Sequence, residues 1–289
     1  MSKNIRIVSP AKAISSELIE GAVRHLTAEG HHVSVGQYAA GANNYFSGTE
    51  TERLSDFQAA INDHTIDVIL CARGGYGSIQ IIDKLDFTPL LKQPKLIVGF
   101  SDITVFHLHC HKLGFQTCHA TMPLNFPENT KKSLIALQRS IIGESNRYAV
   151  FPNLHNRTGI ANAEIIGGNL AMIQTLIGTN SDCNFDGKIL FIEDVSEYIY
   201  TIDRMLWSLT KAGKLKRLAG LIVGGMSNIK DTEVPFGKSL ESVILNHVKS
   251  YNYPVCFDFP AGHIDDNRAL TFGKMSTLEV SENTVKVIN

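Results

Sequence analysis

The chain has 289 residues, 44% of them apolar and 19% charged, with a formal net charge of −1. That balance supplies no global field for nucleic acid or an anionic membrane, and no apolar run approaches the roughly 20 residues of a membrane span. The start, "MSKNIRIVSP", has no signal-peptide apolar region and reads as a first strand. Cys71, Cys110, Cys118, Cys183 and Cys256 form no CxxC pair. They read as reduced, mostly buried thiols of a cytoplasmic protein.

The first half alternates strands and helices. Strands are predicted at 5–8, 33–35, 68–71 and 96–98, and helices at 15–29, 51–62, 79–85 and 103–113. Short apolar strands between amphipathic helices predict a parallel sheet covered on both faces. A helix at 131–142 follows, then the polar segment "GESNRYAVFPNLHNRTG". Beyond it come strands near 163–166, 189–192, 221–223 and 255–257, helices at 169–177, 202–212 and 240–250, and a terminal hairpin around 281–283. The chain thus divides into an N-terminal α/β unit (1–128), a linker region (129–160) and a C-terminal unit (161–289).

Functional groups of open α/β sheets gather at the carboxyl ends of strands. Two loops of the first half lie there: "ARGGYG" (72–77) and "GFSD" (99–102). Ser101 stands on a strand-to-helix turn, where a hydroxyl is lifted clear of the sheet and helix amides such as that of Asp102 face a developing oxyanion. The sequence is not G-x-S-x-G, and a serine here also reads as a helix N-cap. In "ARGGYG", Gly74 or Gly75 would let a backbone amide approach a substrate, and Arg73 offers a planar fork for a carboxylate; the loop fits neither phosphate-binding Gly spacing. A serine nucleophile needs a base and an orienting acid. Glu193 and Asp194 fall where a buried strand ends, Glu197 and Asp203 lie further out, and Asp203–Arg204 reads as a structural pair. His263, in a Gly- and Pro-flanked loop, is the candidate base. "HLHCH" (107–111) lacks the Glu of H-E-x-x-H and is not read as a metal site.

"ARGGYG", "VGFSDIT" (98–104), "GGNL" (167–170), "ILFIEDV" (189–195) with "YTIDRML" (200–206), and "PAGHIDDN" (260–267) occur in that order. Together they resemble the LD-carboxypeptidase family of serine peptidases, which also includes microcin C immunity peptidases. The resemblance implies an N-terminal Rossmann-like or flavodoxin-like domain and a C-terminal α/β domain with a small β-barrel-like core. It implies a catalytic triad of Ser101, Glu193 and His263, with oxyanion donors at the Asp102 amide and that of Gly74 or Gly75. Arg73, Tyr76 and His119 are the candidate substrate contacts. The family's "HGPM" is "HATM" here, with Ala120 and Thr121 replacing Gly and Pro near His119.

The activity implied is release of the terminal D-alanine from a murein tetrapeptide, L-Ala-D-Glu-(meso-diaminopimelate)-D-Ala, during cytoplasmic peptidoglycan recycling. No metal, cofactor or nucleic acid is expected, and a homodimer is. Two alternatives are cleavage of aminoacyl-nucleotide conjugates, as by the microcin relatives, and a non-catalytic small-ligand-binding α/β protein. The first would want an aromatic for the base; the lone tryptophan, Trp207, reads as helix packing.

Overall fold

A computed structural model describes all 289 residues, Met1–Asn289. The first half runs β1 (Asn4–Val8), α1 (Ser16–Ala28), β2 (His32–Val35), α2 (Glu50–Asn62), β3 (Val68–Cys71), α3 (Ser78–Ile81), α4 (Thr88–Lys92), β4 (Leu96–Gly99), α5 (Thr104–Lys112) and β5 (Thr117–His119). Five of its strands pair in parallel in the order β2–β1–β3–β4–β5, the flavodoxin-like arrangement, whose ligand crevice opens where β1 and β3 send their loops apart. β3 is buried at every residue, as a strand covered on both faces must be. Thr49 and Glu52 close a capping box at the start of α2. Phe57 of α2 stacks on Phe106 of α5 with centroids 4.3 Å apart, which packs the two helices together on one face of the sheet.

The rest comprises α6 (Lys131–Ile141), β6 (Arg147–Val150), β7 (Gly159–Asn169), α7 (Leu170–Thr175), β8 (Ile189–Val195), α8 (Ile199–Lys211), β9 (Gly220–Ser227), α9 (Leu240–Val248), β10 (Val255–Cys256), β11 (Leu270–Phe272), β12 (Met275–Val280) and β13 (Val285–Ile288). The second sheet has the order β10–β9–β8–β7–β12–β13–β6. Its β7–β10 side is parallel and its β12–β13–β6 side antiparallel. An isolated bridge between Arg157, beyond β6, and Val255 of β10 links its two edges. The barrel-like core expected of this half is therefore limited to one bridge, without a continuous ladder between the edges.

Two features depart from the sequence reading. The segment 129–160 is more than a connector: besides the expected helix α6 it carries β6, which pairs with β13 as the edge of the second sheet. And β11 leaves the second half of the chain to pair antiparallel with β5 of the first sheet, Leu270 opposite His119. The two sheets are thus laced together. No helix is long and apolar enough to cross a membrane.

Candidate active site

Ser101 lies two residues beyond the end of β4 at Gly99, with a positive φ of 65°. A non-glycine residue in this left-handed region costs about 1–2 kcal/mol, a strain that clusters at functional turns. The hydroxyl does not cap the helix. The turn that opens it has no side-chain cap, and Ser101 Oγ instead lies 3.0 Å from His263 Nε2. The N-cap alternative is therefore set aside by where the hydroxyl points.

The ring of His263 is held from several sides. Its Nδ1 is 2.6 Å from Glu193 Oε2. The Ser227 hydroxyl donates to the His263 carbonyl at 2.8 Å, and Gly225 N–H donates to Ala261 O at 2.8 Å. The buried side chain of Asn267 accepts from Gly262 N–H at 2.9 Å. Phe100 packs edge-on to the imidazole at a centroid distance of 4.9 Å. A Cβ on Gly262 would come within 2.8 Å of Glu193 Cβ, so the loop approaches the acid closely only because residue 262 has no side chain.

Glu193 is 0% exposed. It sits on β8, at a register irregularity between Ile192 and Asp194. Such a bulge interrupts the in–out alternation of a strand, and both Glu193 and its neighbour Asp194 are buried. Their surroundings separate them. Asp194 accepts from Asn169 Nδ2 and from the amides of Ala171 and Val195, at 2.9, 3.0 and 2.8 Å, and so anchors the start of α7. Burial pushes its pKa up to about 6, with the charge of Glu193 acting in the same direction. For His263, burial disfavours the cation. The charge and hydrogen bond of Glu193, with the charge of Asp194, outweigh it and hold the pKa above the ordinary value.

The glycine loop meets this group through Gly74. A Cβ there would lie 2.9 Å from Ser101 Cβ and 3.3 Å from Asp102 N. Gly75 is exposed and borders Lys12 and Tyr45. Arg73 turns back to donate to Ala13 O at 2.8 Å and stays partly accessible. Tyr76 is 47% exposed on the same loop. His119 differs from the expectation for a substrate contact. It is 0% exposed, packed between Phe100, Phe191 and Phe272, and burial holds its pKa well below the ordinary histidine value. Such a ring supports the floor of the site from beneath.

Other candidates are engaged elsewhere. His107 bonds Thr117 and the Gly99 carbonyl, both at 2.9 Å, and burial lowers its pKa to about 4. His109 bonds Ser181 at 2.9 Å. Asp203 pairs with His247 at 2.8 Å rather than with Arg204, whose guanidinium lies over Tyr200. Trp207 packs edge-on against His247. Sequence reasoning missed Ser227 and Asn267, which fix the histidine loop, and Thr104, whose hydroxyl accepts from Asn169 N–H at 2.9 Å and joins α5 to the end of β7. Asn267 and Thr104 left a signal, as the last residues of "PAGHIDDN" and "VGFSDIT"; Ser227 left none.

Known proteins share this arrangement of the chain. A murein tetrapeptide carboxypeptidase of Pseudomonas aeruginosa is 29% identical, over 95% of this chain and 92% of its own. The crystal structure of a muramoyltetrapeptide carboxypeptidase from Oxalobacter formigenes superposes with a TM-score of 0.90 at 24% identity, covering 99% of this chain and 98% of that one. The microcin C7 self-immunity protein MccF in complex with aspartyl sulfamoyl adenosine gives a TM-score of 0.87 at 20% identity, over 99% and 96%. The LD-carboxypeptidase N-terminal domain matches residues 5–120 and the LD-carboxypeptidase C-terminal domain residues 162–278. With both halves matched in order and the two sheets joined around one site, the chain belongs to the LD-carboxypeptidase family.

Proposed function

We propose that the protein is a serine LD-carboxypeptidase that releases the terminal D-alanine of the murein tetrapeptide L-Ala-D-Glu-(meso-diaminopimelate)-D-Ala. The observation that carries the reading is the unbroken chain of hydrogen bonds from Ser101 through His263 to Glu193. His263 Nε2 takes the Ser101 proton as the hydroxyl attacks the scissile carbonyl. Glu193 holds the Nδ1–H tautomer and stabilises the imidazolium. The amides of Asp102 and Gly74 stabilise the tetrahedral oxyanion, each worth about 3 kcal/mol. Gly74 is preferred to Gly75 because it is the glycine against Ser101. His263 then protonates the departing D-alanine amine, and water hydrolyses the acyl-enzyme. The substrate is a free peptide, in keeping with cytoplasmic recycling of cell-wall fragments.

The terminal carboxylate of a carboxypeptidase substrate needs a donor. Arg73 fits the role by its position on the loop that carries Gly74, and Tyr76 offers an accessible rim. Replacing Arg73 with Ala is expected to erase the preference for a free C-terminus, at a cost of about 10- to 100-fold for a charge-assisted hydrogen bond. The comparison is the tetrapeptide against its C-terminal amide. An unchanged ratio removes Arg73 from recognition.

D-alanine release by the wild type and Ser101→Ala tests the assignment. Loss of a nucleophile costs on the order of 10^6 in kcat. Equal release by both proteins contradicts the mechanism. Absence of release by the wild type turns attention to aminoacyl-nucleotide substrates or to binding without turnover.

The raised pKa of His263 sets the acid limb of kcat/KM, because only the neutral ring accepts the Ser101 proton. That limb is expected at a pH above the ordinary histidine value. Glu193→Gln removes the carboxylate charge that does most to raise the pKa, so its limb moves to lower pH while the rate falls, by as much as about 10^4-fold. A limb that stays in place would show that the titrating group is not His263.

A further inference from the structure

We propose that the side chain of Asp102 is a positioning residue for the oxyanion hole, acting separately from its own main-chain amide. The proposal rests on the serine-peptidase reading of the site. The two oxyanion donors come from different loops, one after β3 and one after β4; these strands pair side by side, but their ladder ends at Leu70 and Val98, short of both donors. The Asp102 carboxylate spans the gap. It is 1% exposed and its Oδ2 accepts from Ser78 N–H at 2.8 Å. Ser78 begins α3, at the far end of the loop that carries Gly74.

The same loop end is gripped from its other side. Arg53, 2% exposed, donates to Gly77 O at 3.1 Å and to Pro10 O at 2.7 Å through Nη1. Its Nη2 donates to Gln80 Oε1 at 2.6 Å. The Gly77–Ser78 peptide is thus held at its carbonyl by a buried cation and at the following amide by a buried carboxylate. The carboxylate belongs to the residue whose N–H is the other donor. Gly74, with Ser101 Cβ 2.9 Å from where its own Cβ would be, is then carried in register with the turn at Ser101. A displacement of one donor would move it off the oxyanion, and a lost donor costs about 10^2- to 10^3-fold in kcat.

Asp102→Ala and Asp102→Asn separate this role from simple stabilisation, with Ser101→Ala as control. D-alanine release is measured per active site, counted by the end point of fluorophosphonate labelling. Asp102→Ala is expected to lower kcat about 100-fold with KM within about twofold, because ground-state contacts are untouched. Asp102→Asn keeps an oxygen where Ser78 N–H points and is expected to recover most of that loss. Wild-type kcat per site in Asp102→Ala overturns the proposal, as does an Asp102→Asn protein that folds but is as slow as the alanine variant. If Asp102→Ala does not fold, Asp102→Leu, close in shape and without an oxygen, takes its place in the comparison. Full activity in Ser101→Ala would instead overturn the nucleophile reading beneath it.

Discussion

The hydrogen bond from Ser101 to His263 joins residues 162 apart in sequence and carried by different sheets. The site exists only while those sheets hold a fixed relation. Three contacts maintain it. β11 crosses from the second half to lie beside β5, itself the neighbour of β4. The end of β7 bonds to Thr104 at the first turn of the helix behind Ser101. Phe100, the residue before the serine, packs against both His263 and His119. The first is a backbone ladder, the second a backbone-to-hydroxyl bond and the third a packing of rings, so Ser101 and His263 are located by contacts between the two halves.

The buried glutamate is the costly element of the design. A carboxylate with 0% exposure is unfavourable unless paired, and removing one member of a buried pair typically costs about 3–5 kcal/mol. In the proposed mechanism the pairing does chemical work as well: the charge that compensates Glu193 is the imidazolium, which forms during turnover as Ser101 gives up its proton. Burial and charge act in opposition on His263, and the charge prevails. Asp194, one residue on, belongs to a different network, capped by Asn169 and helix amides. Two adjacent acids at one strand end thus have different partners.

The alternating first half was legible because its strands and helices are punctuated at nearly every turn, by Gly30, Gly114 and the run "ARGGYG". The strand over 68–71 has the bounds that apolar patterning gives it, and the helix starting at Lys131 ends one residue short of its expected end. β6 was hidden because it is only four residues long, Arg147–Val150, and lies inside a turn-rich stretch. The destination of β11 could not be read locally. "LTF" is equally apolar against either sheet, and pairing across the chain leaves no mark on a three-residue segment. At the site, residue types suggested Ser101, Glu193 and His263, and the family pattern chose among the acids. The distinction between Gly74 and Gly75, and the burial of His119 beneath Phe100, are properties of packing. They depend on which side of a loop faces the serine.

The most direct test of the account is to trap the covalent intermediate. Rapid acid quenching of the enzyme turning over the tetrapeptide, followed by peptide mapping by mass spectrometry, should find the L-Ala-D-Glu-diaminopimelyl group esterified to Ser101. An acyl group on another residue, or D-alanine release at full rate with no acyl-enzyme even in the Glu193→Gln protein, would contradict it.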